Sequence, residues 1–272
     1  MSIPFKDDIT LIIDNLGSGG AQRQLVLLAT ELSGMGFNVT LVTYNENNHM
    51  DYMLHGLSVR RVEINTKGDS KLYKIIKVAH YLIKAKPKVV ISYLDNPNIM
   101  AGIYSLLSSN VKWIPSERNL NTGTGLQVLW RRFIYKSALK VVSNSYAQQE
   151  WILKNKIIPK YKSSVIWNGI FNDFWEPLDK KTVKTLQFLS LGRLSHQKNP
   201  ELLFEAVKLV NVNGKLNFSW YGDDDPDSPG KRYILKELAK EQCLPIEIFL
   251  SSKKPHKLLA NAECLILTSR YE

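Results

Sequence analysis

The chain has 272 residues, of which 44% are hydrophobic; this length suits two modest α/β domains or one large one, and this composition can supply a real core. Cys243 and Cys264 resemble neither a disulfide framework nor a metal-ligand pair, so a reducing compartment fits. The N-terminus lacks the features of a secretory signal, and no apolar run approaches the length of a membrane span. The net charge is +11, and residues 1–176 supply +8 of it with 21 basic and 13 acidic residues, which makes nucleic acid, an anionic membrane surface or phosphorylated small molecules the candidate partners.

The first part of the chain alternates short β-type runs with amphipathic helical runs. The predicted strands are 9–14, 38–44, 57–64, 88–94, 111–116, 140–145 and 163–169. The predicted helices are 21–36, 70–86, 98–107, 126–139 and 146–155. The first strand, "ITLIID", is apolar on both faces, as in a buried parallel strand. Strand–helix alternation of this kind predicts a parallel sheet that is covered on both faces.

A break follows, because residues 171–184 lack a clear period and mix proline with charge, which is typical of a linker. The alternation then restarts, with predicted strands at 185–192, 215–222, 246–250 and 264–269 and predicted helices at 200–211, 230–242 and 255–262. Two Rossmann-like domains in tandem, 1–172 and 183–272, are the simplest account. The last strand should lead into a crossover helix, so the second domain is expected to be incomplete.

The segment "GSGG" (17–20) follows the first predicted strand, at the place where open α/β sheets bind ligands. Gly19 and Gly20 would let the backbone approach a ligand closely, and the helix after them offers free N–H groups to an anion. A tight turn that needs positive φ would explain the same glycines. The spacing differs from the G-x-G-x-x-G fingerprint, which disfavours a nicotinamide site.

The stretch "LGRLSHQKNPELL" (191–203) places Arg193 and Lys198 in a loop between a strand and a helix that Pro200 opens. Two cations five residues apart in such a loop suit a diphosphate, with Arg193 binding in a bidentate manner and Lys198 acting as a point charge. Two solvated surface cations remain the alternative. The acidic loop "YGDDDPD" and the scattered histidines have no metal-ligand spacing, so no metal site is predicted.

Two further features lie in the first domain. Glu117, Arg118 and Asn119 form a polar cluster at the carboxyl end of the fifth predicted strand, where they would face an interdomain cleft or pair among themselves. The next predicted helix combines Trp130 and Phe133 with neighbouring cations. This pattern fits an ordinary helix that faces the core, or a helix that rests on an anionic membrane.

Taken in order, five stretches resemble glycosyltransferase family 4, which has the GT-B fold of two Rossmann-like domains facing a cleft. They are Gly19-Gly20-Ala21-Gln22-Arg23, "IWNGI", "LGRLSHQKNPELLFEAV", "YGDDD" and Ser269-Arg270-Tyr271-Glu272. Gln22 replaces the usual glutamate of the glycine loop, and "PSERN" stands where many members carry a histidine. The "SERN" form resembles bacterial members that build lipid-linked or surface glycans.

The resemblance implies a retaining hexosyltransferase, which moves a sugar from a nucleotide-diphosphate sugar to a glycan or lipid-linked acceptor in surface polysaccharide or lipopolysaccharide biosynthesis. It implies no cofactor and no metal, since the nucleotide sugar is a substrate and protein cations hold its diphosphate. The implied catalytic residues are Arg193, Lys198 and Glu272, and the implied donor- or acceptor-binding residues are Gly19, Gly20, Arg118 and Asn119. No nucleic-acid partner is expected.

The family carries a second glutamate eight positions after the one that corresponds to Glu272. That position lies beyond the last residue of the sequence, so the chain as it stands is expected to be inactive in transfer. Two other functions stay open: a nucleotide-sugar 2-epimerase of the same fold, and a non-catalytic, truncated nucleotide-sugar-binding protein. A cytoplasmic location is expected, with peripheral contact between the basic first domain and the cytoplasmic face of the inner membrane.

Overall fold

The computed structural model describes residues 8–119, 123, 125–170, 186–210, 216–225 and 228–270. It divides into two compact units, Met1–Gly169 and Ile170–Glu272, called the first and the second unit below. The predicted linker at 171–184 lies outside the described residues, and so does Glu272.

The first unit is a parallel sheet with helices between its strands. The strands are β1 (Asp8–Ile12), β2 (Asn38–Thr43), β3 (Val59–Glu63), β4 (Val89–Tyr93), β5 (Lys112–Glu117), β6 (Val141–Ser143) and β7 (Ser163–Val165). The helices are α1 (Gly20–Gly34), α2 (Lys71–Ala85), α3 (Asp95–Leu107), α4 (Leu126–Ile134) and α5 (Tyr146–Lys154). The strand order is β3-β2-β1-β4-β5-β6-β7, and every neighbouring pair is parallel. The order reverses between β1 and β4, which is the switch point where such sheets bind ligands.

The apolar run that contains β1 explains why this sheet is covered on both faces. Leu11 and Ile13 belong to one buried cluster together with Leu25 of α1, whereas Ile12 belongs to another together with Met100 of α3. Successive side chains of a strand point to opposite faces, so an unbroken apolar run supplies two cores at once. The predicted parallel, doubly covered sheet is therefore confirmed.

The second unit repeats this plan on a smaller scale. Its strands are β8 (Leu186–Leu191), β9 (Leu216–Tyr221), β10 (Ile246–Phe249) and β11 (Cys264–Leu265), and its helices are α6 (Pro200–Leu209), α7 (Lys231–Glu241) and α8 (Pro255–Ala260). The strand order is β10-β9-β8-β11, again with all pairs parallel. Phe204 of α6 and Trp220 of β9 lie in its buried core. Since β9 and β11 lie on opposite sides of β8, this sheet has its switch point between β8 and β11.

Several element boundaries differ from the predicted ones. The last strand was predicted over 264–269, yet only Cys264–Leu265 forms β11. Ile266 still donates its N–H to the Leu189 carbonyl of β8 at 2.7 Å, whereas Thr268 and Arg270 bond to the loop before α6. Helix α3 begins at Asp95, with Pro97 in its first turn, where a missing N–H costs nothing. A 3-10 turn at Asp51–Leu54 lies where no element was predicted.

None of the described helices is both long enough and apolar enough to cross a membrane.

Candidate functional site

Two glycines bring the ends of β8 and β9 into contact. Gly192 follows β8 with φ +151°, donates its N–H to the Tyr221 carbonyl at 3.0 Å and accepts the Trp220 indole N–H at 2.8 Å. A Cβ on Gly222 would lie 1.8 Å from the Gly192 oxygen. Neither position therefore admits a side chain, and the backbone at the carboxyl end of β8 is held in one place.

Arg193 and Lys198 lie in one loop at this end of β8. The Arg193 side chain is 51% exposed, and its Nη1 lies 3.9 Å from Oδ2 of Asp225. The stem of Lys198 runs along Gly192, with its Cγ, Cδ and Cε 3.3–3.5 Å from the place where a Cβ of that glycine would stand. The loop ends at Asn199 in the left-handed region (φ 50°), and α6 follows. The structure thus presents both predicted cations beside the start of a helix, whose N-terminal dipole is also positive.

The segment after β11 fixes this loop from the other side of the switch point. The Thr268 hydroxyl donates to the Lys198 carbonyl at 2.8 Å, and the Arg270 N–H donates to the Gln197 carbonyl at 2.9 Å. The Arg270 guanidinium also donates to Oδ1 of Asn199 at 3.0 Å. Open α/β sheets bind ligands in the crevice at such a point, and here the crevice contains a preformed loop with two cations.

Two of the three aspartates after β9, Asp223 and Asp224, have structural partners. Asp223 accepts hydrogen bonds from the Ser251 N–H at 3.2 Å and hydroxyl at 2.5 Å, and Asp224 accepts from the N–H groups of Arg232 at 2.8 Å and Gly230 at 3.3 Å. Asp223 therefore joins the ends of β9 and β10, while Asp224 caps α7. Within the described ranges, no group of three or more His, Cys, Asp and Glu side chains could hold a metal ion.

The glycine loop of the first unit lies at the switch point between β1 and β4. Gly19 precedes α1 with φ −76° and ψ 160°, and neither Gly19 nor Gly20 is in the left-handed region. The alternative of a turn that needs positive φ is therefore wrong for both. Gly19 has no side chain with which to cap α1, so amides of the first turn remain for a ligand or water.

Arg118 is held by residues from the ends of several strands. Its guanidinium carbon lies 4.0 Å from the centre of the Tyr93 ring, Nη2 donates to the Tyr93 hydroxyl, and Nη1 donates to Oδ1 of Asn168 at 3.0 Å. Its Nε is buried and has no hydrogen-bond partner among the described residues. Burial lowers the pKa of Arg118. Asn119, next to it, is exposed.

Glu117 points inward, unlike its neighbour. It is 1% exposed, accepts a short hydrogen bond from the Tyr135 hydroxyl, and lies 3.5 Å from Nε of Arg131, which also binds Asp95 at 2.6 Å. Burial raises the pKa of Glu117, Asp95 adds to the rise, and Arg131 and the Tyr135 hydrogen bond oppose it. The expectation that the polar cluster pairs within the protein therefore holds for Glu117, while Arg118 and Asn119 remain candidates for ligand binding.

Helix α4 exposes its large apolar side chains. Trp130 is 62% exposed and Phe133 is 54% exposed, so these two side chains do not face the core, whereas Val128 and Ile134 of the same helix do. Leu126 and Leu129 are exposed beside them. A concavity of about 860 Å³ adjoins this face, and the residues lining it include Leu129, Phe133, Arg132, Lys136, Lys156 and Lys160. The combination is an apolar surface with a basic rim.

The sequence did not predict that Asn168 and Tyr93 contact Arg118. The pair Asn168-Gly169 was interpreted as a turn, yet the Gln24 side chain binds both the N–H and the carbonyl of Gly169 at 2.8 Å. Tyr93, at the end of β4, stacks under Arg118. The positions of both residues in the sequence could have identified them, because each ends or follows a parallel strand at the edge of the sheet where ligands bind.

Two family models match the chain. Residues 18–173 match the model of Glycosyltransferase Family 4, and residues 173–272 match that of Glycosyl transferases group 1. One curated relative, the GalNAc-α-(1→4)-GalNAc-α-(1→3)-diNAcBac-PP-undecaprenol α-1,4-N-acetyl-D-galactosaminyltransferase of Campylobacter jejuni, is 25% identical over 223 residues. That alignment covers 78% of this chain and 60% of the relative, so the chain spans less than two thirds of the relative's length.

Solved structures of glycosyltransferases share the fold. A glycosyltransferase from Rickettsia africae superposes with a TM-score of 0.73 at 19% identity, covering 97% of this chain and 73% of its own. The Anabaena protein Alr3699/HepE, solved in complex with UDP and glucose, superposes with a TM-score of 0.74 at 14% identity, covering 97% of this chain and 74% of its own. These likenesses confirm the predicted fold class.

Proposed function

Because the chain belongs to glycosyltransferase family 4, we propose that it transfers a hexosyl group from a nucleotide-diphosphate sugar to a lipid-linked glycan, with retention at the anomeric carbon. The observation that carries the proposal is the loop with Arg193 and Lys198, held at the switch point between β8 and β11. The UDP complex of the Anabaena protein supports a uridine-diphosphate donor, and the undecaprenol-linked substrate in the name of the Campylobacter relative supports a lipid-linked acceptor.

In this reaction the bond between the anomeric carbon and the β-phosphate oxygen breaks, and an acceptor hydroxyl bonds to that carbon and gives up its proton. Negative charge develops on the leaving diphosphate. Arg193 and Lys198 would stabilise that charge, the first by paired N–H donors and the second as a point charge. We assign Glu272 to the donor sugar, Gly19 and Gly20 to a phosphate or sugar oxygen, and Arg118 and Asn119 to the acceptor.

The test compares Arg193→Ala and Lys198→Ala with Lys208→Ala, a control that removes an α6 lysine paired with Glu205. Calorimetry measures UDP affinity, and mass spectrometry and NMR measure sugar transfer from a panel of UDP-sugars. Loss of a charged diphosphate contact should cost about 2–4 kcal/mol of transition-state stabilisation. Parental UDP affinity and turnover in both site variants would refute the assignment, and an epimerised donor without transfer would favour the 2-epimerase.

We also propose that the exposed face of α4 rests on an anionic membrane, at the cytoplasmic leaflet where a lipid-linked acceptor would be presented. Leu129, Trp130 and Phe133 supply apolar contact, and the basic rim around them supplies attraction to acidic headgroups. Each basic residue near such a surface contributes about 1 kcal/mol. The net charge of +8 on residues 1–176 has the sign that this contact needs.

Sedimentation with vesicles that contain phosphatidylglycerol tests the contact. Binding should weaken as salt rises from about 0.1 M to about 1 M, where the Debye length falls from about 10 Å to about 3 Å. Leu129→Glu with Phe133→Glu should abolish binding, whereas Leu72→Glu, at a 67% exposed position on α2, should not. Binding that ignores salt, or that survives the double substitution, would exclude α4 as the contact.

A further inference from the structure

Two large aromatic side chains remain exposed at the ligand-binding edge of the first sheet. Tyr146 opens α5 shortly after β6, and Trp167 follows β7 by two residues. They are 66% and 67% exposed, and their rings stand edge to face with centroids 6.0 Å apart. The carboxyl ends of β6 and β7 place this pair on the same edge of the sheet as Arg118, which follows β5.

Three contacts hold the chain around Trp167, two through the backbone of its neighbours and one through the Asn168 side chain. The Ile166 N–H donates to the Ser143 carbonyl at 2.9 Å, Asn168 accepts from Arg118 at 3.0 Å, and Gly169 is bound on both sides by the Gln24 side chain. An exposed indole on a hydrogen-bonded backbone is a preorganised surface, because little conformational freedom is left to lose when a ligand binds. The exposed Trp167 ring therefore extends from a chain segment that hydrogen bonds hold in place at this edge of the sheet.

Polar groups adjoin the aromatic pair. Arg118 has a buried Nε without a hydrogen-bond partner in the described part of the chain, and its carbonyl is held by Nδ2 of Asn144 at 3.1 Å. The Asn168 amide carries two N–H donors besides the oxygen that accepts from Arg118. The Asn168 amide, next to Trp167 in the chain, thus supplies hydrogen-bonding groups in the neighbourhood of the exposed indole.

A pyranose ring has this combination of surfaces. Its C–H bonds form an apolar face that suits the electron-rich face of an aromatic ring, and its hydroxyl groups project from the rim and need polar partners. A lipid chain would need no amide or guanidinium. The surface around α4 also carries an aromatic pair, Trp130 and Phe133, but exposed leucines and several basic side chains adjoin it, and this combination suits lipid better. The two surfaces are therefore chemically distinct.

We propose that Trp167 and Tyr146, with Asn168 and Arg118, form a subsite for a sugar ring of the acceptor glycan, in which the ring stacks on Trp167. The identification of this sugar as part of the acceptor rests on the proposed function, in which the donor diphosphate is assigned to Arg193 and Lys198. The proposed sugar-binding site itself consists of residues of the first unit alone. It assigns the ligand a class, a hexopyranose with hydroxyl or N-acetyl substituents.

The probe is a panel of methyl hexopyranosides and methyl N-acetylhexosaminides, added without nucleotide. Saturation-transfer NMR ranks their binding, and titration of backbone amide signals gives affinities. Trp167→Ala should weaken the best-bound sugar by about tenfold or more, and Trp167→Phe, which keeps an aromatic face, should restore most of the affinity. Tyr161→Ala, at a 72% exposed position before β7, is the matched control and should bind sugar like the parent.

Parental sugar affinity in Trp167→Ala, or no sugar binding by the parent, would overturn the subsite. If the parent transfers sugar while Trp167→Ala keeps its acceptor KM, the subsite fails and the transferase proposal stands. If a chain extended through the family's second glutamate transfers no sugar, while sugar binding by the parent depends on Trp167, the transferase proposal fails and the subsite stands. Unchanged thermal unfolding of Trp167→Ala confirms that the readout reports binding rather than folding.

Discussion

Replacement of Gly222 by alanine should destabilise the second unit and displace the loop that carries Arg193. The new Cβ would stand 1.8 Å from the oxygen and 2.7 Å from the carbonyl carbon of Gly192. Ordinary contact begins near 3.4 Å, so the two backbones must separate by about 1.6 Å. Both groups are backbone and follow paired strands, so no flexible side chain can absorb the movement.

The cost follows from what that movement breaks. Trp220 is 3% exposed and donates its indole N–H to the Gly192 carbonyl at 2.8 Å, and a buried donor left unpaired costs about 1–3 kcal/mol. Overpacking adds about 1–3 kcal/mol. Together they predict about 2–6 kcal/mol of lost unfolding free energy, and each kcal/mol lowers the Tm of a domain of this size by about 4–8 °C.

Denaturant unfolding gives the free energy, and hydrogen exchange of peptides from β8 and β9 locates the change. Gly20→Ala is the matched control, since a Cβ there would meet nothing within 4 Å and the backbone is outside the left-handed region. That control should be neutral or stabilising by about 0.4–1 kcal/mol. A loss below about 0.5 kcal/mol in Gly222→Ala, well under the usual cost of overpacking, would refute the rigid contact between the two strand ends.

Three further substitutions test other contacts. Because the pKa of Glu117 is raised, its stabilising contribution is complete below the ordinary value of 4.5 and is lost as pH rises through the raised value. Glu117→Gln should therefore flatten this decline of the unfolding free energy in denaturant titrations across pH. An unchanged slope would contradict the argument. Ser145→Ala removes the cap that accepts the Gln148 N–H at 3.2 Å and should cost about 1 kcal/mol in thermal unfolding, and an equal Tm would show that α5 needs no cap. Asp224→Ala leaves amides at the start of α7 without an acceptor and should cost about 0.5–2 kcal/mol with faster exchange in α7, so parental exchange there would speak against the cap.

The apolar pattern predicted strands well where both faces are buried and less well at the sheet edges. β1 was predicted almost to its ends because Leu11, Ile12 and Ile13 all enter a core. β7 was predicted through Gly169 but ends at Val165. Beyond Val165 the chain continues with apolar residues, yet the backbone of Gly169 pairs with Gln24, a contact across 145 positions that no local period contains.

Helix α4 was predicted as a helix, but its orientation was not. The general rule that apolar side chains are buried and charged ones exposed would place the aromatic residues inward and the cations outward. In the structure, by contrast, the Arg131 side chain is 11% exposed and Trp130 is 62% exposed. The reason lies on β5, where Glu117 is buried and needs a cationic partner, because an isolated buried carboxylate is costly. Arg131 meets that need, and Trp130 and Phe133 are exposed, while Val128 and Ile134 of the same helix are buried. A buried charge on one element thus influences which side chains of another element are exposed.

The glycines that follow β1 and those that follow β8 and β9 look alike in the sequence, but they occupy their positions for different reasons. Gly222 is required by the fold, since its contact with Gly192 leaves no room for a Cβ. Gly20 has open space around it and an ordinary φ, and a Cβ on Gly19 would meet only the end of the Gln22 side chain, which can move. The described residues therefore do not require glycine at 19 or 20, which agrees with the proposal that a ligand approaches the first amides of α1 closely. Gly20→Ala should then keep its stability and lose affinity for the UDP-sugar, measured by calorimetry; parental affinity would leave this loop without a binding role.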